Sequence, residues 1–204
     1  TSMKIVVLDE ADRMFDIGFM PQIKQILAMI NRERQTLMFS ATMPPAISEL
    51  TARYMKIPLR IEVAPSGTAA KNVEQEMFIV NKDAKMQLLE KILADNHGSV
   101  LLFSRTKHGA KRIANGIRAM GHTASEIHSN KSLSQRKMAL EGFKTGKHRV
   151  LVATDIASRG IDVTGISLVI NFDLPDNTED YVHRIGRTGR AESFGKAISF
   201  ASPQ

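Results

Sequence analysis

Three arginines, a histidine and two glycines fall within ten residues, Tyr181-Val182-His183-Arg184-Ile185-Gly186-Arg187-Thr188-Gly189-Arg190. Arg184, Arg187 and Arg190 recur at i, i+3 and i+6, so a turn or two of helix would put them on one face. Guanidinium forks grip phosphate oxygens bidentately, and glycine lets a backbone come close to a ligand. The segment reads as a handle for a polyphosphate or a nucleic-acid backbone. On charge alone it reads equally well as a solvated basic helix end.

Four other segments could do chemistry, and each follows an apolar run. Asp9-Glu10-Ala11-Asp12 comes after Ile5–Leu8. One carboxylate there suits Mg²⁺ held through its water shell, and a neighbour can polarise a water; an acidic turn capping the next helix would look the same. Ser40-Ala41-Thr42 offers small hydroxyls that could link two sites, or simply enter a helix before Pro44. Ser104-Arg105-Thr106-Lys107 sets hydroxyls and cations at a helix start, suited to phosphate or to ordinary N-capping. In Ala153 to Asp162, Thr154 could bind a backbone phosphate and Asp162 could accept from a ribose hydroxyl. The structural alternative pairs Arg159 with Asp155 or Asp162. Gly142 to His148 imitates a phosphate-binding loop, but its glycine spacing is one short and His148 replaces the required Ser/Thr. It reads as a helix C-cap and turn.

These segments need a scaffold, and the pattern supplies one. Strands are expected at 5–8, 36–39, 59–63, 76–81, 99–104, 123–128, 149–153, 167–172 and 196–201. Helices are expected at 20–30, from Pro44-Pro45, and at 84–95, 107–120, 133–145 and 178–186. Gly121 and Gly146 stand where helix C-caps belong. Apolar strands alternating with helices imply an α/β fold, a mostly parallel sheet covered on both faces. Ligands bind such sheets at the carboxyl ends of the strands, where the four segments that follow apolar runs sit, whereas Gly142 to His148 precedes a strand. Residues 64–72, small and polar with Pro65 and Gly67, read as a linker.

The 204 residues suffice for one large domain or two modest ones, and 43% hydrophobic content supports a core. Net charge is +7, favouring polyanionic partners. From Ser104 to Arg149 eleven Lys/Arg face only Glu126 and Glu141, which reads as a basic face. With no cysteine there is no disulfide and no thiolate metal site, which fits a reducing compartment. His97, His108, His122 and His128 lack metal-ligand spacing. No apolar run approaches membrane-spanning length.

In order and spacing these motifs resemble those of the DEAD-box RNA helicases, and the chain looks like a bacterial member of the RhlE type. The resemblance covers essentially the whole chain. It implies two RecA-like α/β domains of the P-loop NTPase type: residues 1–64 as the C-terminal remnant of the first, 65–72 as linker, and 73–204 as the second. It implies ATP and Mg²⁺ as cofactors of the complete parent, with single-stranded or duplex RNA held by its sugar-phosphate backbone. On that basis Asp9 helps hold Mg²⁺ and Glu10 positions the attacking water. Asp162 contacts the ribose, and Arg187 and Arg190 reach the phosphates when the domains close. Ser40, Thr42 and His183 couple the domains. Arg105, Gly109, Arg136 and Thr154 contact RNA.

The chain also departs from that pattern. It holds no G-x-x-x-x-G-K-[ST], Leu133 stands where glutamine is usual before Arg136, and no final helix follows the last strand. The expectation is a helicase fragment, cytoplasmic, without a membrane partner and catalytically incompetent alone. The alternative is a naturally truncated RNA- or protein-binding module without ATPase activity. The remnant 1–64 is expected to expose a sheet edge and to be loosely ordered or to self-associate through it.

Overall fold

The apolar runs become strands in the computed structural model, which describes residues 3–16, 18–40, 42–62, 72–155, 163, 165–189 and 194–203. They fall into two compact units, Thr1–Thr68 and Ala69–Gln204.

In unit 1, β1 (Ile5–Leu8) pairs in parallel with β2 (Gln35–Met38), Ile5 opposite Gln35 and Leu8 opposite Met38. Between them run α1 (Ala11–Asp16) and α2 (Met20–Met29); α3 (Pro45–Tyr54) follows β2. Successive strand residues face opposite ways. Val6 and Leu8 pack on buried Ile23, Leu27 and Leu50, while Ile5 and Val7 remain 60% and 56% exposed. The strand expected at 59–63 does not form over 59–62, where Leu59 and Ile61 are exposed. Alternation alone cannot make a strand; it also needs a partner edge, and none of the described strands pairs there.

Unit 2 is an all-parallel six-stranded sheet in the order β3-β8-β7-β4-β6-β5. The strands are β3 (Val73–Ile79), β4 (Val100–Phe103), β5 (Ala124–Ile127), β6 (Val150–Ala153), β7 (Leu168–Asn171) and β8 (Gly195–Ala201). Central β4, β6 and β7 are buried along their whole length, which explains their unbroken Val/Leu/Ile character. The first strand begins at Val73 instead of 76, in register with Gly195. Of the expected linker 65–72 only Asn72, in a turn, lies among the described residues.

Helices cover both faces. On one, α4 (Lys85–Asp95) and α5 (Lys107–Ala119) contribute Leu89, Leu93, Ile113 and Ile117 to a core with Val100, Leu102 and Phe200. On the other, α6 (Leu133–Lys144) and α7 (Thr178–Ile185) supply Ala139, Phe143 and Ile185 against Leu101, Phe103 and Leu151. Local signals fix the helix ends. Thr106 accepts from the Gly109 N–H at the start of α5, and Ser132 with Gln135 forms a capping box on α6. Beyond α5 and α6 the chain turns at Gly121 (φ +87°) and Gly146 (φ +77°), as expected, so Gly142 to His148 is a helix end.

The connection leaving β4 runs to β5 on one side, and that leaving its neighbour β7 runs to β8 on the other. The carboxyl end of β4 is therefore the topological switch point, where open α/β sheets bind ligands.

Candidate nucleotide and nucleic-acid interface

In unit 1 the acidic tetrad caps the end of β1. Glu10 has φ +49°, a left-handed backbone that non-glycine residues rarely adopt, at a cost of about 1–3 kcal/mol. The turn is pinned on both sides, since the Phe39 N–H donates to the Leu8 carbonyl (2.8 Å) and the Ala11 N–H to the Phe39 carbonyl (3.0 Å). Asp9 is exposed, and its Oδ1 accepts from the Glu10 N–H at 2.9 Å. Mg²⁺ is usually held by one or two carboxylates plus waters and substrate phosphates. Exposed Asp9 beside Glu10 fits that donor set. Among the described residues no cluster of three or more His, Asp or Glu could hold a metal by itself.

Asp12, not singled out within the tetrad, is its buried carboxylate. Its Oδ2 accepts from the Thr42 N–H (2.7 Å) and the Thr42 hydroxyl (3.0 Å). Its own N–H donates to Ser40 Oγ (3.1 Å), and that hydroxyl donates to the Thr42 carbonyl (2.7 Å). Ser40 and Thr42 thus tie the end of β2 to the start of α1.

In unit 2 the expected RNA residues lie in the loops and helices that follow three neighbouring strands. Arg105 and Gly109 follow β4, Thr154 follows β6, and Arg136 lies on α6 after β5, with β4, β6 and β5 adjacent in that order. A Cβ on Gly109 would sit 2.6 Å from Ser104 Oγ, and its N–H already serves the Thr106 cap. Arg105 is drawn toward the loop after β7. Its N–H donates to Asp173 Oδ2 (3.0 Å) and its Nη2 to the Leu174 carbonyl (3.2 Å), with an ion pair to Asp176 at 3.0 Å.

The three arginines of the basic segment do not share one role. Arg184 is only 3% exposed. Its Nε and Nη2 donate to the two oxygens of Asp155 at 2.6 and 2.7 Å, and its Nη1 to Asn171 Oδ1 (3.1 Å) and the Asp173 carbonyl (2.7 Å). Its guanidinium also stacks 4.9 Å from the Phe103 ring centroid. So Asp155 pairs with Arg184, and this arginine braces the switch point from within and presents no fork to a phosphate. Arg187 lies one turn on, half-buried, its N–H donating to the Arg184 carbonyl (3.2 Å). His183 is half-buried on the last turn of α7. Asp162 and Arg190 lie outside the described residues. The second glycine serves packing: at Gly189 (φ +66°) a Cβ would stand 2.7 Å from Val73 and 2.9 Å from the Asn72 carbonyl.

Part of the basic face is structural too. Arg118 and Lys131 converge on buried Glu126 at 3.2 and 2.7 Å. Burial alone would raise that carboxyl's pKa, but hydrogen bonds from Lys131 and Arg118 outweigh it and hold the pKa below the usual carboxylate range. Arg149 donates to the Leu93 and Gly98 carbonyls at 2.8 and 3.2 Å. Buried His128 is held below the ordinary histidine pKa by desolvation first, then by the nearby Lys131 charge. Two residues missed in the sequence complete the site. Asp173 accepts from Ser104 Oγ (3.3 Å) as well as Arg105, and buried Lys85 reaches it at 3.5 Å while donating to the Phe172 carbonyl (2.7 Å).

Comparison with known proteins agrees with this geometry. The family described as DEAD/DEAH box helicase matches residues 1–50, and the helicase conserved C-terminal domain matches residues 84–192. The chain belongs to the DEAD-box helicase family, with the RecA-like fold of its solved members. The ATP-dependent RNA helicase DBP2 of Debaryomyces hansenii is 48% identical over 96% of this chain and 37% of its own length. DBP2 of Saccharomyces cerevisiae is 45% identical over 98% of this chain and likewise 37% of its own. A DEAD box protein from Methanococcus jannaschii superposes with TM-score 0.63 at 41% identity, over 98% of this chain and 54% of that one. S. cerevisiae Dbp5 bound to RNA and ADP BeF3 gives TM-score 0.88 at 30% identity, with the same two coverages. The chain thus spans little more than a third of the length of the curated relatives it matches.

Proposed function

We propose that this chain is part of an ATP-dependent RNA helicase that couples ATP binding and hydrolysis to local unwinding or remodelling of RNA. The observation that carries the reading is that Arg105 and Thr154 follow the adjacent strands β4 and β6 and Arg136 lies on the helix after the next strand, β5, of one parallel sheet, beside a switch point braced by Arg184. Such a row of cations and hydroxyls suits successive phosphates and sugars of a single strand, without reading its bases. In the other unit, Asp9 would hold Mg²⁺ and Glu10 would orient the attacking water. Bound Mg²⁺ would neutralise charge on the nucleotide phosphates. Asp162 would receive the ribose, Arg187 and Arg190 the phosphates, and Ser40, Thr42 and His183 would connect nucleotide to RNA across the two domains, in a cytoplasmic setting.

The 204 residues contain no phosphate-binding G-x-x-x-x-G-K-[ST] loop, so RNA binding and ATPase activity are expected to part company in this chain. It should bind single-stranded RNA weakly, each phosphate contact adding about −0.7 to the slope of log K against log salt. Arg136→Ala should weaken binding, and RNA should stimulate no phosphate release. Salt-insensitive binding, or none at low salt, would count against the RNA reading. Phosphate release abolished by Glu10→Gln would refute the expected inactivity.

Unit 1 is the expected route of self-association, because its two-stranded sheet exposes Ile5 and Val7. Sedimentation velocity should show concentration-dependent growth that Val7→Lys suppresses. A monomer at every concentration would dismiss the idea.

A further inference from the structure

Arg105, one of the expected RNA contacts, is already engaged by its own chain. The loop between β7 and α7, Asp173-Leu174-Pro175-Asp176, holds it at both ends. Asp173 fixes the backbone, accepting from the Arg105 N–H at 3.0 Å, and Lys85 and Ser104 in turn hold Asp173. Asp176 takes the other end: its Oδ1 lies 3.0 Å from Nη2, the same nitrogen that donates to the Leu174 carbonyl. The two attachments differ in kind. The Asp173 carboxylate is braced by three groups. The Arg105–Asp176 pair is a solvent-facing contact, its side chains 59% and 83% exposed.

A carboxylate and a phosphate present the same chemistry to guanidinium, two anionic oxygens matched to its N–H pairs. We propose that Asp176 is a built-in competitor for RNA: its carboxylate occupies Arg105 in the free protein and must yield that guanidinium to a backbone phosphate when a single strand binds. This rests on the reading of Arg105 as an RNA contact. It assigns to the β7–α7 loop a second task, setting the affinity of that contact. A phosphate arriving at Arg105 meets a nitrogen already shared and a negative charge at hydrogen-bond distance. Both effects weaken binding; an amide at 176 removes the negative charge outright and leaves only a weaker, neutral acceptor to share the nitrogen. Exposed ion pairs are individually weak, so the competitor tunes affinity without blocking the site, and the surface pair can open readily.

The test uses the 204-residue chain and a fluorescein-labelled single-stranded oligoribouridylate, with dissociation constants measured by anisotropy at low salt. The proteins are wild type, Asp176→Asn, Arg105→Ala and the double variant. Asp95→Asn serves as control, because Asp95 ends α4 ahead of the amino end of β4, whereas Arg105 follows its carboxyl end, and its removal changes net charge equally. Arg105→Ala should weaken binding. Asp176→Asn should tighten it roughly two- to five-fold, the range that exposed pairs support, and more than Asp95→Asn does. In the Arg105→Ala background the gain should disappear. A gain no larger than the control's, a gain that survives without Arg105, or no binding by either wild type or Asp176→Asn overturns the proposal. Arg105→Ala binding like wild type marks a different failure, that of the RNA contact itself, and the competitor falls with it.

Discussion

Replacing Arg184 with methionine is expected to cost unit 2 about 3 kcal/mol, the lower end of the range for breaking a buried ion pair. The lower end applies because the Asp155 side chain keeps 29% of its surface in water while Arg184 keeps 3%. Loss of the guanidinium leaves the carboxylate, Asn171 Oδ1 and the Asp173 carbonyl without their donor. Unsatisfied buried acceptors carry most of that cost. Lysine should not rescue it: one ammonium cannot reach both Asp155 oxygens and the two further acceptors. Arg112→Met, on the exposed side of α5, should stay within about 0.5 kcal/mol of wild type. Urea unfolding followed by far-ultraviolet circular dichroism measures all three. A loss below about 1 kcal/mol for Arg184→Met would show that the network adds little to stability. The functional consequence follows from position, since Arg187 hangs one turn beyond this anchor. A loosened Arg184 would unsettle Arg187, the arginine proposed above to meet the nucleotide phosphates.

Arg184 also marks the boundary of what the sequence could say. Its spacing with Arg187 is visible in the chain, and helical periodicity put it on their face. Its burial depends on Asp155, 29 residues earlier, and Asn171, 13 residues earlier. No local pattern connects them; only the parallel order of β6, β4 and β7 brings those strand ends together. Lys85 and Asp173 are alike in this, 88 positions apart and paired by the sheet. The β-α alternation was legible because burial on both faces forces whole strands to be apolar, as in β4, β6 and β7. Caps were legible because they act within a few residues, as at Thr106, Gly121 and Gly146. The strand expected at 59–63 failed for the complementary reason: its alternation was real, but pairing is a long-range fact. Charge counting has the same blind spot for part of the basic face, because Arg118, Lys131 and Arg149 were counted in it and hold Glu126 and backbone carbonyls.

Asp12 should prove the stability determinant of unit 1. Both bonds from Thr42 end on one oxygen, Oδ2, at 2.7 and 3.0 Å. An asparagine can place its carbonyl oxygen there and keep both donors satisfied without the charge. Bonds to a charged acceptor are worth about 1.5–3 kcal/mol and neutral ones about 0.5–1.5. Asp12→Asn should therefore cost on the order of 1–2 kcal/mol, and Asp12→Ala, which also orphans the Thr42 N–H, about 3 kcal/mol or more. The unit has little to set against such a loss: among its described residues only Ala11, Ile23, Leu27, Ile47 and Leu50 are buried apolar residues. Small cores give marginal stability. The alanine variant is accordingly expected to unfold unit 1 while unit 2, with its own two core clusters, stays folded. Hydrogen exchange resolves the two: amides of β1 and β2 should lose protection in Asp12→Ala, and those of β4 and β6 should keep theirs. Intermediate protection in Asp12→Asn would assign the effect to charge-assisted bonding. Full protection in Asp12→Ala would mean that apolar packing alone holds the turn. In that case the strained Glu10 backbone, one residue from Ala11 and two from Asp12, is fixed by its pins to Leu8 and Phe39 and owes nothing to the Ser40–Thr42 clamp.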